Sequence, residues 1–354
     1  MSGTHRLGVV TELPAILLEL GVDPKPVLAA AGVPAELLRN PENRIPFPVL
    51  GRLLHEAVAA SGCPHLGLLV GRRGGLQSLG LVGRLMSTAP TVREAIMDLC
   101  INQVRFIEGA VTHLTLHDGG GLWAYSVQAP PLQGIDAILD GAIGIGVSVV
   151  QQLSGHRAEE VRFSHAQPKD VDAYRVALGV TPVFNVEQTC LVLSREVLAA
   201  PVRTADPVLR RILQRQVVVY WARAQPSMAE QVQRALAAHV TTGEASLEIV
   251  AAVFGIGPRT LTRRLRAEGT SFRAVLEQAR HDVARQLLGG TRMPVTEIGF
   301  SLGYASPPGF VRAFRRAAGQ PPSEWRRFWS GDGNPLAAAA RSEDDWSETS
   351  SPLG

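Results

Sequence analysis

Cysteine is scarce in this 354-residue chain, and the three that occur, Cys63, Cys100 and Cys190, stand far apart. An odd number of isolated cysteines gives neither a disulfide framework nor the paired spacing of a zinc site. We therefore expect three buried free thiols, and we expect neither a bound metal nor a cofactor.

Several other patterns are missing. The first residues, MSGTHRLGVV, lack the basic and then apolar order of a secretory signal, so we expect a cytoplasmic protein. Gly, Arg, Asp or Pro interrupts each apolar run, which predicts no membrane span. No G-x-S-x-G, H-E-x-x-H or Walker sequence occurs, so we expect no catalytic residues and no enzyme.

Lysine is absent from one long segment that is nevertheless basic. Residues 226–330 carry fourteen arginines and eight acidic residues, a net charge of +6, whereas the whole chain has a net charge of only +3. Residues 331–354 carry one arginine and five acidic residues. A polyanionic partner is therefore expected for 226–330 alone. The polar, acidic composition of 331–354 predicts a disordered tail.

The spacing of apolar residues changes along the first two thirds of the chain. Residues 10–106 show the three-and-four spacing of helices, and 135–155 read as a long apolar helix. VTHLTLHD (111–118) and LWAYSVQA (122–129) alternate on either side of three glycines, which predicts a hairpin. Further short strands and a helix follow. The expected fold class is an α+β domain followed by an all-α domain.

We expect three folded parts before the tail. An α+β regulatory domain should span 1–205, a connecting helix and hinge 206–227, and a helical domain 228–330. The hinge is expected at Gln225, Pro226 and Ser227, where helical spacing stops.

Two patterns in the α+β region resemble binding sites but have simpler explanations. Gly141, Gly144 and Gly146 lie inside an apolar helix, so close helix packing explains them better than a phosphate loop does. His113 and His117 lie on the same face of a predicted strand, but no third ligand is evident nearby. We interpret them as exposed or ligand-facing histidines.

The most informative pattern occurs twice near the end of the chain. AAVFGIG (251–257) precedes PRTLTRRLRAEG (258–269), and TEIGFSLGY (296–304) precedes SPPGFVRAFRRAAG (306–319). In each copy a short apolar helix reaches a turn glycine, and a proline-opened helix follows. This is the layout of a helix-turn-helix unit, and two units on one chain could reach successive major-groove faces of a DNA duplex.

Each proline-opened helix is apolar on one side and rich in arginine on the other. A solvated basic face would explain one such helix, but its repetition favours DNA binding. The residues expected to contact DNA are Arg259, Thr262, Arg263 and Arg266 in the first copy and Ser306, Pro307, Pro308, Arg312, Arg315 and Arg316 in the second. Because the prolines have no side-chain donors, the second helix should read DNA shape or apolar edges, with Arg312 as its main polar reader.

Residues 228–329 resemble the DNA-binding domain of AraC/XylS-type transcriptional regulators over nearly their whole length. The likeness includes the closing element Gly319, Pro322, Trp325 and Arg326. The resemblance implies seven helices, with a long helix around 273–288 joining the two motifs. It also implies base or phosphate contacts at Arg259, Thr262, Arg263, Pro307, Pro308 and Arg312.

The first 205 residues resemble the ligand-binding domain of the branch that includes ornithine-utilisation and VirS-type regulators. GLVGRLMSTAPTVREAIMDL and the stretch from VRFSHAQPKD to LVLSREVLAAPV carry this likeness. It implies a sensor for a small-molecule effector, and it identifies no effector-binding residue. The family resemblance further implies an activator acting on promoter DNA in the nucleoid, with RNA polymerase and a second copy of the chain as partners. The alternative hypothesis is an enzyme that a helix-turn-helix module targets to DNA.

Overall fold

A computed structural model describes residues 4–103, 110–127, 132–222 and 227–329, with the backbone alone for 218–222 and 328–329. The expected tail, the hinge residues Gln225 and Pro226, and the ends of the predicted segments at 104–106 and 128–129 lie outside these residues.

The first part of the chain is a mixed α+β structure, as the sequence predicts. Its helices are α1 (Leu13–Glu19), α2 (Pro24–Ala31), α3 (Phe47–Ser61), α4 (Leu66–Arg73), α5 (Gly80–Ser87), α6 (Val92–Asn102), α7 (Ile135–Ser154), α8 (Val171–Leu178), α9 (Arg195–Ala199) and α10 (Pro207–Ala222). Its strands are β1 (Thr4–Arg6), β2 (Arg44–Pro46), β3 (Ala110–His117), β4 (Gly120–Val127), β5 (Glu160–Arg162), β6 (Pro182–Val183) and β7 (Cys190–Ser194).

Five strands form one sheet in the order β3-β4-β7-β5-β6, in which only β5 and β6 run parallel. The predicted hairpin is β3–β4, but its turn is shorter than the three glycines suggested. Gly120 and Gly121 are already paired with Ser194 and Leu193 of β7. A Cβ on Gly120 would lie 2.1 Å from the carbonyl oxygen of Leu193, so the strand needs a glycine there.

The glycine-rich helix α7 crosses α4 at very close range. A Cβ on Gly67 would lie 2.1 Å from the oxygen of Ala137, and a Cβ on Gly71 would lie 2.1 Å from that of Gly141. Close packing, which the sequence predicted for the α7 glycines, is confirmed at Gly144, where a Cβ would lie 2.7 Å from the oxygen of Leu68 in α4. Gly146 packs instead on Leu191 of the sheet, and Gly141 has an ordinary contact of 3.4 Å. The expectation that no apolar run is long enough for a membrane span is wrong for α7, whose 20 residues are long and apolar enough to cross a membrane. Since 67% of these residues are buried inside the protein, α7 is a helix of the hydrophobic core.

Helix α10 follows this domain and is anchored to it. Leu213 and Val217 pack on Leu85 of α5, and Arg210 forms a bidentate ion pair with Asp98 of α6 at 2.7 and 3.1 Å. Burial raises the pKa of Asp98 to about 6, although the hydrogen bonds and charge of Arg210 oppose this rise. The three cysteines are buried free thiols, as predicted.

The second part of the chain is helical, and residues 227–329 contain the seven α-helices that the resemblance implied. They are α11 (Met228–His239), α12 (Leu247–Val253), α13 (Pro258–Ala267), α14 (Phe272–Gly290), α15 (Val295–Ser301), α16 (Pro307–Ala318) and α17 (Pro322–Trp329). A 3-10 turn at Val240–Thr242 follows α11.

Helix α14 belongs to two separate hydrophobic cores. Its first half contributes Val275 and Ala279 to the core beneath α13. Its second half contributes Val283, Ala284, Leu287 and Leu288 to the core beneath α16. One continuous helix of 19 residues, about 28 Å long at the standard rise, therefore fixes the distance between the two helix-turn-helix units.

Candidate nucleic-acid interface and internal cavity

Helix α13 begins where the sequence predicts. Gly257 occupies the N-cap in an extended conformation, and Pro258 fills the first turn, where its missing N–H leaves no hydrogen bond unmade. Leu261 and Leu265 are fully buried beneath the helix. The turn before it needs Gly255, whose φ is 64°.

The opposite side of α13 carries the predicted DNA-contacting side chains. Arg259, Arg263 and Arg266 are exposed. Thr262 is half-buried, and its hydroxyl donates to the carbonyl of Pro258 at 3.0 Å. These four residues, with Leu247 and Pro258, line one open groove of about 370 Å³. The structure therefore brings all four predicted residues of the first motif together.

Helix α16 has the same arrangement of one buried and one exposed side, but its buried residues are phenylalanines and two prolines open it. Phe310 and Phe314 are buried, and Phe310 packs so closely on Gly299 of α15 that a Cβ there would lie 3.1 Å away. Ser306 is the N-cap residue, as expected, but its side chain makes no capping hydrogen bond. Pro308 is exposed and Pro307 is half-buried at the start of the helix.

The outward arginines of α16 are Arg312, Arg315 and Arg316, and all three are exposed. Within the described part of the chain, neither they nor Arg259, Arg263 and Arg266 of α13 form an ion pair or a side-chain hydrogen bond. Arg280 of α14, in contrast, pairs with Glu277 at 3.4 Å. Six guanidinium groups on the two motifs thus remain available to phosphates and base edges.

A second candidate site is a cavity of about 130 Å³ inside the α+β domain. It lies between helix α7 and the inner face of the β3–β4 hairpin, and residues 5–10 close it. Most of its lining is apolar, including Leu50, Leu54, Val70, Leu99, Ile138, Ile143, Ile145 and Leu191. The polar side chains in its lining are His5, Arg6, Ser78, Gln103, Thr112, Trp123 and Tyr125.

Three of these polar groups hold the hairpin in place. The indole N–H of Trp123 donates to the Thr112 hydroxyl at 2.8 Å, and that hydroxyl donates to the carbonyl of Ala124 at 2.9 Å. The side-chain oxygen of Gln103 accepts from the Thr112 amide at 2.5 Å. Sequence reasoning identified no cavity residues. Strand alternation could have placed Thr112, Trp123 and Tyr125 on one face, but no local pattern predicts that residues 5–10 close the space.

The helical domain docks on the free edge and outer face of the same hairpin. The Thr241 hydroxyl donates to the carbonyl of Leu114 in edge strand β3 at 3.0 Å. The amide of Arg292 donates to the carbonyl of Glu187 at 2.8 Å. Arg93 of α6 forms an ion pair with Glu244. One face of the hairpin therefore lines the cavity, while its free edge and other face contact the helical domain.

This docking covers polar side chains that lack partners. A Cβ on Gly290 of α14 would lie 3.0 Å from the Cβ of Ser126. Within the described residues, no hydrogen bond is made by either ring nitrogen of His113, the hydroxyl of Ser126 or the side-chain oxygen of Gln188. Burial lowers the pKa of His113 to about 4, with Gln188 opposing this shift.

The interpretation of His113 as exposed or ligand-facing is therefore wrong. His113 is buried on the face of the sheet that turns away from the cavity, because the helical domain covers it. His117, at the end of the same strand, is exposed. The structure does not bring the two histidines together as a site.

Comparison with known proteins agrees with both parts of this architecture. Residues 21–202 match the family described as the arabinose-binding domain of AraC transcription regulator, and residues 250–327 match a helix-turn-helix domain. The chain is 28% identical to the ornithine utilization regulator of Pseudomonas aeruginosa over 88% of its length and 93% of that protein.

It is also 27% identical to the transcriptional regulator VirS of Mycobacterium tuberculosis, again over 88% of this chain and 93% of the relative. Among solved structures, the transcriptional regulator CdpR of Pseudomonas aeruginosa aligns with 89% of this chain and 96% of its own. That alignment has a TM-score of 0.46 and 23% sequence identity.

Proposed function

Because this chain belongs to the AraC family of transcription regulators, we propose that it binds promoter DNA through α13 and α16 and responds to a small-molecule effector in the cavity behind β3–β4. The proposed DNA contacts are Arg259, Thr262, Arg263, Arg266, Ser306, Pro307, Pro308, Arg312, Arg315 and Arg316.

The observation that carries this proposal is the duplication of an acid-free arginine face. Helix α13 exposes four arginines and α16 exposes three, and none of them has a carboxylate partner among the described residues. Helix α14 supports both helices. Arginines neutralise phosphates and release counterions, which gives salt-dependent affinity. Because α14 contributes to the cores beneath both helices, it holds α13 and α16 in a fixed relation, as two units that address successive major-groove faces of one duplex require.

The β3–β4 hairpin supplies the path by which an effector changes DNA binding. Thr112, Trp123 and Tyr125 face the cavity, whereas the carbonyl of Leu114 and the side chain of Ser126 meet the helical domain. An effector that shifts the hairpin therefore changes the stability of the docked arrangement. Regulation then follows from a shift between docked and undocked populations.

The remaining parts of the proposal rest on the family relationship. We propose activation through RNA polymerase, action at the nucleoid in the cytoplasm, and a homodimer as the assembled form. We also propose that the protein is not an enzyme, since the relatives above are named as regulators. The proposed units are a regulatory domain at 1–205, a connecting helix and hinge at 206–227, and a DNA-binding domain at 228–330.

The test is binding of the full-length protein to a duplex selected from a random library, measured by fluorescence anisotropy at several salt concentrations. The wild-type protein should lose affinity steeply as salt rises, with a log–log slope of about −0.9 for each phosphate neutralised. The double variant Arg263→Ala/Arg312→Ala should bind weakly, and Arg84→Ala, an exposed arginine on α5, should bind as the wild type does. Salt-independent binding, or equal loss in Arg84→Ala, would contradict the proposal.

A further inference from the structure

We propose that the cavity behind β3–β4 takes an uncharged molecule of about six to eight non-hydrogen atoms that carries one hydroxyl group, with phenol as the simplest example. The inference rests on the proposed function, because it names the chemical class of the effector. The volume of the cavity, about 130 Å³, sets the size of the ligand. For comparison, an engineered protein cavity of about 150 Å³ binds benzene.

The charges around the cavity favour an uncharged ligand. Arg6 is the permanently charged residue in the lining, and Glu42 already neutralises it through two hydrogen bonds of 2.9 and 2.6 Å. The same guanidinium also donates to the carbonyl of Ser78. None of the described lining residues is an aspartate or a glutamate. An ammonium ligand would therefore find no counter-ion, and a carboxylate would have to compete with Glu42.

Two polar side chains of the lining, His5 and Tyr125, suit a hydroxyl ligand. The Nδ1 atom of His5 is buried without a hydrogen-bond partner, and burial lowers the pKa of this ring to about 4. The ring is therefore neutral at pH 7, and a neutral imidazole has one nitrogen that accepts a proton donor. Tyr125 also lines the cavity, and burial raises the pKa of its phenol, which keeps it protonated as a donor. A ligand hydroxyl, which can both donate and accept, complements either side chain.

The remaining wall suits a flat or short apolar body. Trp123 has its N–H engaged by Thr112, so its ring serves as an apolar surface. That ring lies against α7, where a Cβ on Gly146 would be 3.5 Å from its Cζ3 atom. Apolar burial on these surfaces would supply most of the affinity, and the hydroxyl would supply selectivity.

The experiment uses the full-length protein and four ring compounds of seven to nine non-hydrogen atoms in isothermal titration calorimetry. The compounds are phenol, toluene, benzoate and benzylamine, and ornithine is added because one relative is named for its utilisation. Phenol should bind about three- to tenfold more tightly than toluene, since one buried hydrogen bond distinguishes them. Benzoate, benzylamine and ornithine should show no binding. Tighter binding of any charged compound than of phenol would overturn the inference, as would no binding of phenol.

Two variants locate the binding. His5→Phe removes the imidazole and keeps an aromatic ring, so it should abolish the preference for phenol over toluene while toluene still binds. Ala142→Phe places a ring in the cavity and should abolish both, whereas Ala30→Phe, on the exposed surface of α2, should leave both unchanged. Phenol binding that both cavity variants retain would place the ligand elsewhere.

DNA binding of the same preparations separates the two proposals. If phenol fails to bind while the wild-type protein still binds DNA with a steep salt dependence, the effector chemistry is wrong and the proposed function stands. If DNA binding itself fails, the proposed function is wrong whatever the cavity binds.

Discussion

The hydroxyl of Thr241 donates a hydrogen bond to the carbonyl of Leu114, across a distance of 3.0 Å and a sequence separation of 127 residues. Leu114 lies in edge strand β3, where a carbonyl would otherwise have no strand partner on its outer side. Thr241 lies in the 3-10 turn that follows the first helix of the DNA-binding domain. One side chain thus satisfies the edge of the sheet and links the α+β domain to the helical domain.

Thr241→Val should loosen this contact, because it removes the donor and leaves a buried carbonyl unpaired, at a cost of about 1–3 kcal/mol. Hydrogen exchange at the backbone amides of 110–117 should become faster. The matched control is Thr242→Val, since the Thr242 hydroxyl donates only to the nearby carbonyl of His239. Equal acceleration in the two variants would show that the hydrogen bond to Leu114 does not hold the domains together.

His113→Leu should stabilise the protein at pH 7 and reduce its sensitivity to acid. The pKa of His113 falls from 6.5 to about 4 on burial, so the folded state resists protonation. Stability is therefore fully present above pH 6.5 and is lost as the pH falls from there towards 4, by about 3 kcal/mol in total. Leucine carries neither the proton nor the two unpaired nitrogens.

The measurement is the difference in unfolding free energy between the wild type and His113→Leu from pH 7 to pH 4. Taking the difference cancels groups common to both proteins, such as His5 and Asp98. A difference that does not change with pH would show that His113 is not buried as a neutral ring.

Where α4 and α7 cross, two glycines that face each other should differ in how well they tolerate replacement by alanine. Gly71→Ala should destabilise the protein by at least about 1–3 kcal/mol, since its Cβ would lie 2.1 Å from the backbone oxygen of Gly141. Gly141→Ala should be neutral or stabilising, because its Cβ would have an ordinary contact of 3.4 Å and alanine favours the helix. Urea unfolding of both variants tests this, and the reverse order of stability would mean that the helices cross differently.

Arg263→Ala should reduce specific DNA binding by about 1–3 kcal/mol and relax the preference at one base pair, if Arg263 contacts a guanine edge. Arg264→Ala is the matched control, because Arg264 is also exposed on α13 but does not line the groove. The measurement compares how tightly each variant binds a set of single-base changes in the selected site. An equal loss for every sequence would make Arg263 a phosphate contact instead.

The two halves of the DNA site should differ in information content. Arg259, Thr262 and Arg263 offer side-chain donors on α13, whereas the first turn of α16 presents Pro307, Pro308 and Gly309. Each well-read base pair is worth about 1–3 kcal/mol, so in vitro selection should recover a stronger consensus in the half read by α13. Equal information in both halves would mean that Arg312 or DNA shape compensates for the missing donors.

The sequence by itself determined the two helix-turn-helix motifs, because the signals that specify them are local. Gly255 and Gly303 mark turns that require a positive φ, the leucine and phenylalanine pairs mark the buried sides, and the prolines mark the helix starts. The glycines of α7 likewise indicated close packing without contact information, since few other roles suit glycine inside an apolar helix. DNA contacts at the outward residues stay a prediction.

Only the tertiary structure decided which residues surround the cavity and which polar groups are buried. Residues 5–10 close a space whose other walls come from segments up to about 190 residues away in the sequence. His113 and His117 share a strand face, and their different exposure arises because a separate domain covers one of them. Periodicity reports which face of a strand a side chain occupies, but what packs on that face depends on contacts between distant parts of the chain.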